Sequence, residues 1–177
     1  QAPGKALLIG EHAVVYGHPA IAIPLRGIQA QAEAVYTCAG GIELAAPDMR
    51  EHEAPGAEAS SILAPLRKLA EAVLTMFSES GQGVRIELHS TIPIGRGMSS
   101  GAAVSVALVR ALCDAMGRKL SARQICDLAM VAEEAYHGTP SGVDPAVVAH
   151  DQAIYFVKGK EPRPVRTGPS AFHFLVA

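Results

Sequence analysis

The chain has 177 residues, of which 49% are hydrophobic and 18% charged, and its formal net charge is −2. That length suits one domain with a sizeable core, and that composition excludes a disordered chain. Without a basic run a nucleic-acid partner is not expected, and the longest apolar stretch, Ala102 to Val109, is far short of the ~20 residues a membrane span needs.

The first predicted element is "KALLIG", Lys5 to Gly10, a short apolar run read as a buried strand. Gly17 and Pro19 then signal a turn. "AIAIPL" follows, and after it "IQAQAEAVYT" alternates in the manner of a half-buried strand. "GIELAA" reads as its hairpin partner across Ala39 and Gly40. Residues 47–56 read as a surface loop, being acidic, polar and rich in Pro and Gly. Leu66, Leu69, Ala70, Val73, Met76 and Phe77 recur at helical spacing, with Gly81 ending the pattern. "GVRIELHSTI" alternates again and reads as a strand. A Gly/Ser-rich turn leads into a helix that is apolar nearly all round except Arg110, which predicts burial. Gly117 ends that helix, and Ser121 with Gln124 forms a capping box for the next. "AIYFVKG" and "FHFLVA" read as two closing strands.

Cys38, Cys113 and Cys126 are single and widely spaced, against a disulfide framework or a zinc site. Cys113 and Cys126 fall in predicted helices and read as reduced, buried thiols. No signal peptide is visible, and the expected location is cytoplasmic. The chain opens Gln-Ala-Pro-Gly without a Met, so the true start is expected to be missing.

Three stretches carry chemistry. The first is "GRGMSSGAA", Gly95 to Ala103, between a strand and an apolar helix. A helix N-terminus offers free N–H groups and a positive dipole end, which suits phosphate. Gly95, Gly97 and Gly101 let backbone approach an anion, Ser99 and Ser100 add hydroxyls, and Arg96 adds charge. No Gly-Lys-Ser/Thr follows, and the third glycine comes one residue too late for G-x-G-x-x-G. A tight turn with a helix cap is the alternative. The second is Glu133, which a helical wheel puts at the edge of an apolar face made by Ile125, Leu128, Ala129, Ala132 and Tyr136, while Glu134 points away. Near a helix C-terminus a carboxylate is poorly placed for the dipole, and a divalent cation would compensate it. A boundary Glu with its head in solvent is the alternative.

The third stretch is "HGTPSGVDPAVVAH", a loop of fixed backbone shape around Asp144. An ionised Asp144 can take or orient the proton of an alcohol, and Lys5 is a candidate partner that keeps it charged. Asp144 can equally cap a helix begun by Pro145. His12, after Glu11, could bond a polar substrate or be incidental. His18, His52, His89, His150 and His173 show no metal-ligand spacing, and nothing suggests a hydrolase triad.

Together and in this order, "PGKALLIGEHAVVYGHPAIAIPL", "IPIGRGMSSGAA" and "HGTPSGVD" resemble the three motifs of the GHMP small-molecule kinases, most closely the mevalonate kinases. The resemblance implies an α+β domain like domain 2 of ribosomal protein S5, with a left-handed β-α-β crossover that is rare among proteins. It implies transfer of the ATP γ-phosphoryl group to the primary hydroxyl of mevalonate, with Mg²⁺, no membrane partner and room for a homodimer. Residue by residue, Asp144 matches the catalytic base and Lys5 the lysine that pairs with it. Glu133 matches the metal-binding glutamate, His12 and Glu11 the substrate side. Gly95, Arg96, Gly97, Met98, Ser99, Ser100, Gly101 and Ala102 match the phosphate loop. The usual loop reads Gly-Leu-Gly-Ser-Ser-Ala-Ala; here it reads Gly-Met-Ser-Ser-Gly-Ala-Ala. Gly101 thus stands where a metal-binding serine would be, leaving that place to Ser100 or to water. The family's C-terminal domain is not seen, so residues 1–177 are expected to form the N-terminal half of a longer protein and to be nearly inactive alone. A phosphomevalonate kinase and a non-catalytic nucleotide-binding relative are the rival expectations.

Overall fold

The computed structural model describes residues 1–57, 60 and 62–166. Its strands are β1 (Ala2–Ile9), β2 (Ala20–Thr37), β3 (Ile42–Ala46), β4 (Glu51–Glu53), β5 (Gly83–Ser90), β6 (Ile154–Phe156) and β7 (Arg163–Pro164). Its helices are α1 (Ala64–Met76), α2 (Ser100–Ala115), α3 (Ala122–His137) and α4 (Val143–His150). The strands form one mixed sheet, ordered β4-β3-β5-β2-β6-β7, with β1 also paired to β2. The architecture is α+β, with the helices gathered on this sheet.

Strand β2 organises the domain. Pro24 and Gly27 make its sequence read as two pieces, yet it runs unbroken for 18 residues. The interruption is absorbed in register: Pro3 of β1 faces Gln29, whereas Gly4 faces Leu25. A bulge of this kind bends a strand without ending it. The first residues of β2 pair with β1 and β6, and Ala30–Thr37 pairs antiparallel with β5.

The expected hairpin between β2 and β3 does not form. β5 takes the edge of β2, and β3 lies beyond it, parallel to β5. Chain passes from β2 to β3 directly over the start of β5. Gly83 permits this, because a Cβ there would sit 1.6 Å from the Ala39 carbonyl oxygen. The parallel pair is closed by α1, giving the β3-α1-β5 unit. Residues 47–56 are also more ordered than a loop: a 3₁₀ turn, Pro47–Met49, leads into β4, which pairs antiparallel with β3. Of the two expected closing strands, β6 forms, and "FHFLVA" lies outside the described residues.

Helix α2 is the core element. Ala102, Ala103, Val106, Ala107, Leu108, Val109 and Leu112 are all essentially buried. It packs on β2 and β1 and touches α1, α3 and α4. The many alanines let neighbouring backbones come close, and each buried leucine adds roughly 2 kcal/mol of transfer free energy. Arg110 reaches out of this apolar helix to the carbonyls of Gln1 and Ala149, at 2.6 and 3.0 Å. The Ser121 capping box is present as expected, with the Gln124 N–H donating to Ser121 Oγ and the Ser121 N–H to Gln124 Oε1. Cys113 is buried, Cys126 half-buried and Cys38 exposed, all free. Among the described residues no helix is long and apolar enough to cross a membrane.

Candidate active site

At the N-terminal end of α2 a cavity of about 510 Å³ opens between the sheet, α1 and α3. Lys5, Gly95, Gly97, Ser99, Ser100, Gly101, Glu133 and Asp144 line its polar side. Met49, Ile62, Leu66, Ile92 and Ile94 line its apolar side. One cavity therefore collects side chains from β1, the Gly/Ser loop, α3 and the acid loop.

The loop delivers backbone to this cavity. Gly95 and Gly97 both adopt left-handed conformations, at φ 71° and 70°. Ser99 does so too, at φ 58° and ψ 46°, as the residue capping α2. For a residue with a Cβ this costs about 1–2 kcal/mol, so surrounding contacts must hold it. The loop is also tied to β1, where the Lys5 N–H donates to the Met98 carbonyl at 3.1 Å. The first N–H groups of the buried 16-residue α2 are thereby turned toward the cavity with the positive end of its dipole.

Asp144 does not cap the helix. Gly142, left-handed at φ 84°, occupies the cap, and Asp144 lies inside the first turn of α4. There its charge still favours the helix dipole. Its carboxylate is gripped at both ends. Lys5 Nζ stands 2.9 Å from Oδ1, and Ser99 Oγ donates to Oδ2 at 2.6 Å. The Lys5 side chain is only 7% exposed and that of Asp144 31% exposed, so both line the cavity and the acid is the more accessible of the two.

Glu133 is 4% exposed rather than a boundary residue with its head in solvent. Burial, and then the neighbouring charge of Asp144, push its carboxyl up to about 7, against the opposing pull of Lys5. Glu133 and Asp144 thus compete for the single ammonium of Lys5. Oxygen donors alone, on Glu133, Asp144 and Ser100, suit a hard divalent cation that keeps water and substrate oxygens in its shell. Among the described residues no group of three or more His, Cys, Asp or Glu could hold a metal by itself. A side chain at Gly101 would begin 3.7 Å from Glu133 Oε1, so glycine keeps the space beside that acid open.

Not every expected residue reaches this place. Arg96 is exposed on the loop. Glu11 and His12 are exposed on the turn after β1, and neither lines the cavity. Conversely, Tyr136 lines it and was read only as core. Its hydroxyl donates to the Ile62 carbonyl at 3.0 Å, and burial followed by the charge of Glu133 raises it to about 12. Its position three residues after Glu133, on the same helical face, is the signal that would have found it. Asp48 and His89, 41 residues apart in sequence, also reach the rim and hydrogen-bond each other at 3.3 Å.

Residues 66–152 match the model of the GHMP kinases N terminal domain. That match runs from α1 to just past α4, a little under half of the chain. The mevalonate kinase of Thermococcus gammatolerans is 34% identical to it, over 92% of this chain and 53% of that protein. The Methanococcus jannaschii mevalonate kinase structure superposes with a TM-score of 0.78 at 22% identity, covering 94% of this chain and 55% of that one. The L. major mevalonate kinase, solved in complex with R-mevalonate, gives a TM-score of 0.69 at 24% identity, covering 92% of this chain and 50% of that one. The chain thus spans about half the length of the mevalonate kinases it matches. The GHMP fold expected from the three motifs is the fold observed, and its Gly/Ser loop, acid loop and first strand meet at one cavity.

Proposed function

We propose that the full-length protein containing this chain transfers the γ-phosphoryl group of ATP to the primary hydroxyl of mevalonate. The observation that carries the reading is Asp144, fixed by Lys5 at the mouth of a helix-backed anion cradle. Likeness to the mevalonate kinase of Thermococcus gammatolerans supports mevalonate as the acceptor.

Phosphoryl transfer asks little covalent chemistry of a protein and much positioning. Backbone N–H groups of residues 95–102 and the dipole of α2 hold the phosphates. Asp144 orients the acceptor hydroxyl and takes its proton as the new P–O bond forms and the bond to the β-phosphate oxygen breaks. Lys5 balances the charge of Asp144 and faces the transferred group. Glu133 and Ser100 are the residues that would hold Mg²⁺, which would supply charge neutralisation at the β- and γ-phosphates. The apolar wall of Ile62, Leu66, Ile92 and Ile94 receives the nucleotide base. Glu11 and His12 are assigned to the acceptor side, from the exposed turn that follows Lys5. A cytoplasmic location and a homodimer belong to the same proposal.

The test is a panel of acids, mevalonate and phosphomevalonate among them, incubated with the full-length protein and Mg-ATP. Phosphorylation of mevalonate is expected. Phosphorylation of another acid with mevalonate left untouched overturns the choice of acceptor.

A further inference from the structure

Ser99, the residue capping α2, holds the left-handed backbone that glycine would favour. A serine there is strained unless its side chain gains something. What it gains is a short bond to Asp144 Oδ2, across 45 residues of sequence. Three contacts then close a ring. The Lys5 N–H bonds to the Met98 carbonyl, the next residue's hydroxyl bonds to Asp144, and Asp144 pairs back with Lys5 Nζ. The phosphate loop, the first strand and the acid loop are joined at one carboxylate.

We propose that Ser99 is a positioning residue for Asp144, locking the rotation of its carboxylate and setting its distance from the phosphate loop. This rests on the kinase reading above. A carboxylate held only at Oδ1 by a single ammonium can turn about its side-chain bonds. A second donor on Oδ2 removes that freedom, while each oxygen retains a lone pair for the acceptor hydroxyl. The hydroxyl of Ser99 therefore spends its hydrogen on the acid and not on a phosphate oxygen. Phosphate contacts from this position come from backbone, which any residue supplies. The effect belongs to kcat and not to nucleotide binding, because orientation of the base matters in the transition state.

The experiment compares Ser99→Gly and Ser99→Ala with the unaltered full-length protein. Glycine removes the hydroxyl and suits the left-handed backbone; alanine removes the hydroxyl and keeps the strain. Both are expected to lower kcat by about tenfold, with KM for ATP and for the acceptor within about twofold of the unaltered value. A fall of less than about threefold in Ser99→Gly overturns the proposal, as does a loss in alanine alone, which would make backbone strain the cause. A rise in KM for ATP at unchanged kcat also overturns it, assigning the hydroxyl to phosphate. A crystal structure of Ser99→Gly gives a readout independent of activity. The Asp144 carboxylate is expected to rotate or split into two conformers, and a single conformer in the original place counts against the proposal whatever acceptor the protein uses. If the unaltered protein ignores mevalonate, the reading of the acceptor fails, and this structural readout still decides the role of Ser99.

Discussion

Lys5–Asp144 and Arg67–Glu53 are both ion pairs with a nearly buried member, yet they sit in opposite surroundings. The Glu53 side chain is 2% exposed and that of Arg67 16%. Arg67 also donates to the Ile42 carbonyl at 3.1 Å, so the pair fastens the three-residue β4 and the start of β3 to α1. Glu53 Oε2 has no partner among the described residues, and neither residue lines the large cavity. At Lys5–Asp144 the Lys5 ammonium is nearly buried while the Asp144 carboxylate is reachable, and a second acid, Glu133, crowds the same space. Burial of charge is common to both regions. What marks the second as a site is access, together with a second acid competing for the same ammonium.

Substitutions can break that comparison. The largest effect is expected from Asp144→Asn, which keeps shape and removes the proton acceptor. kcat of the full-length protein should fall by roughly 10²–10⁴ when compared at full folding, since the nearly buried Lys5 ammonium also loses its partner and some stability goes with it. Turnover within a few-fold of the unaltered protein would remove Asp144 from the role of base. Arg67→Ala should do the reverse. Leaving Glu53 buried and unpaired is expected to cost about 3–5 kcal/mol in a denaturant titration, with kcat unchanged well below the midpoint. A loss of kcat at full folding would show that the two regions are coupled.

Glu133 sharpens the contrast through pH. Its folded carboxyl titrates near 7 against an ordinary value of 4.5, so between those values the folded chain holds the proton more tightly than the unfolded chain does. Stability is therefore greatest below that window and falls as pH rises through it. Glu133→Gln should flatten this slope and leave the metal-free protein about 1–3 kcal/mol more stable at pH 8 than the unaltered chain, as measured by urea unfolding at pH 5 and pH 8. Equal slopes for both proteins would mean that Glu133 is solvated. The smallest effect is expected at Ser121→Ala, which removes the cap of α3 at a cost of about 1 kcal/mol. It should leave kcat unaltered, and a change there would show that the end of α3 distant from Glu133 still governs that acid.

How far the sequence could be read differs from element to element. Helix α1 was legible because Leu66, Leu69, Ala70 and Val73 repeat at 3.6 residues, and all four are buried on one face. β5 was legible from Val84, Ile86 and Leu88, which all point into the core. Asp144, Lys5 and Glu133 were legible as a set only because three motifs stand in a familiar order. Periodicity put Glu133 at the edge of a face and left Asp144 between two uses. The β2–β3 hairpin was misread because proximity in sequence favours a hairpin, while β5, some 40 residues further on, offered β2 a longer partner.

By itself the sequence determined what depends on neighbours along the chain: the helical and alternating patterns, the Ser121 cap, the glycines of the phosphate loop and the motifs of the family. Tertiary structure alone decided that β5 inserts between β2 and β3, that Glu133 is enclosed and raised toward neutrality, and that Ser99 reaches Asp144. The reason is physical. Turn, cap and periodicity energies arise within a few residues, whereas strand choice and the surroundings of a buried charge are set by segments that meet only when the core closes around α2.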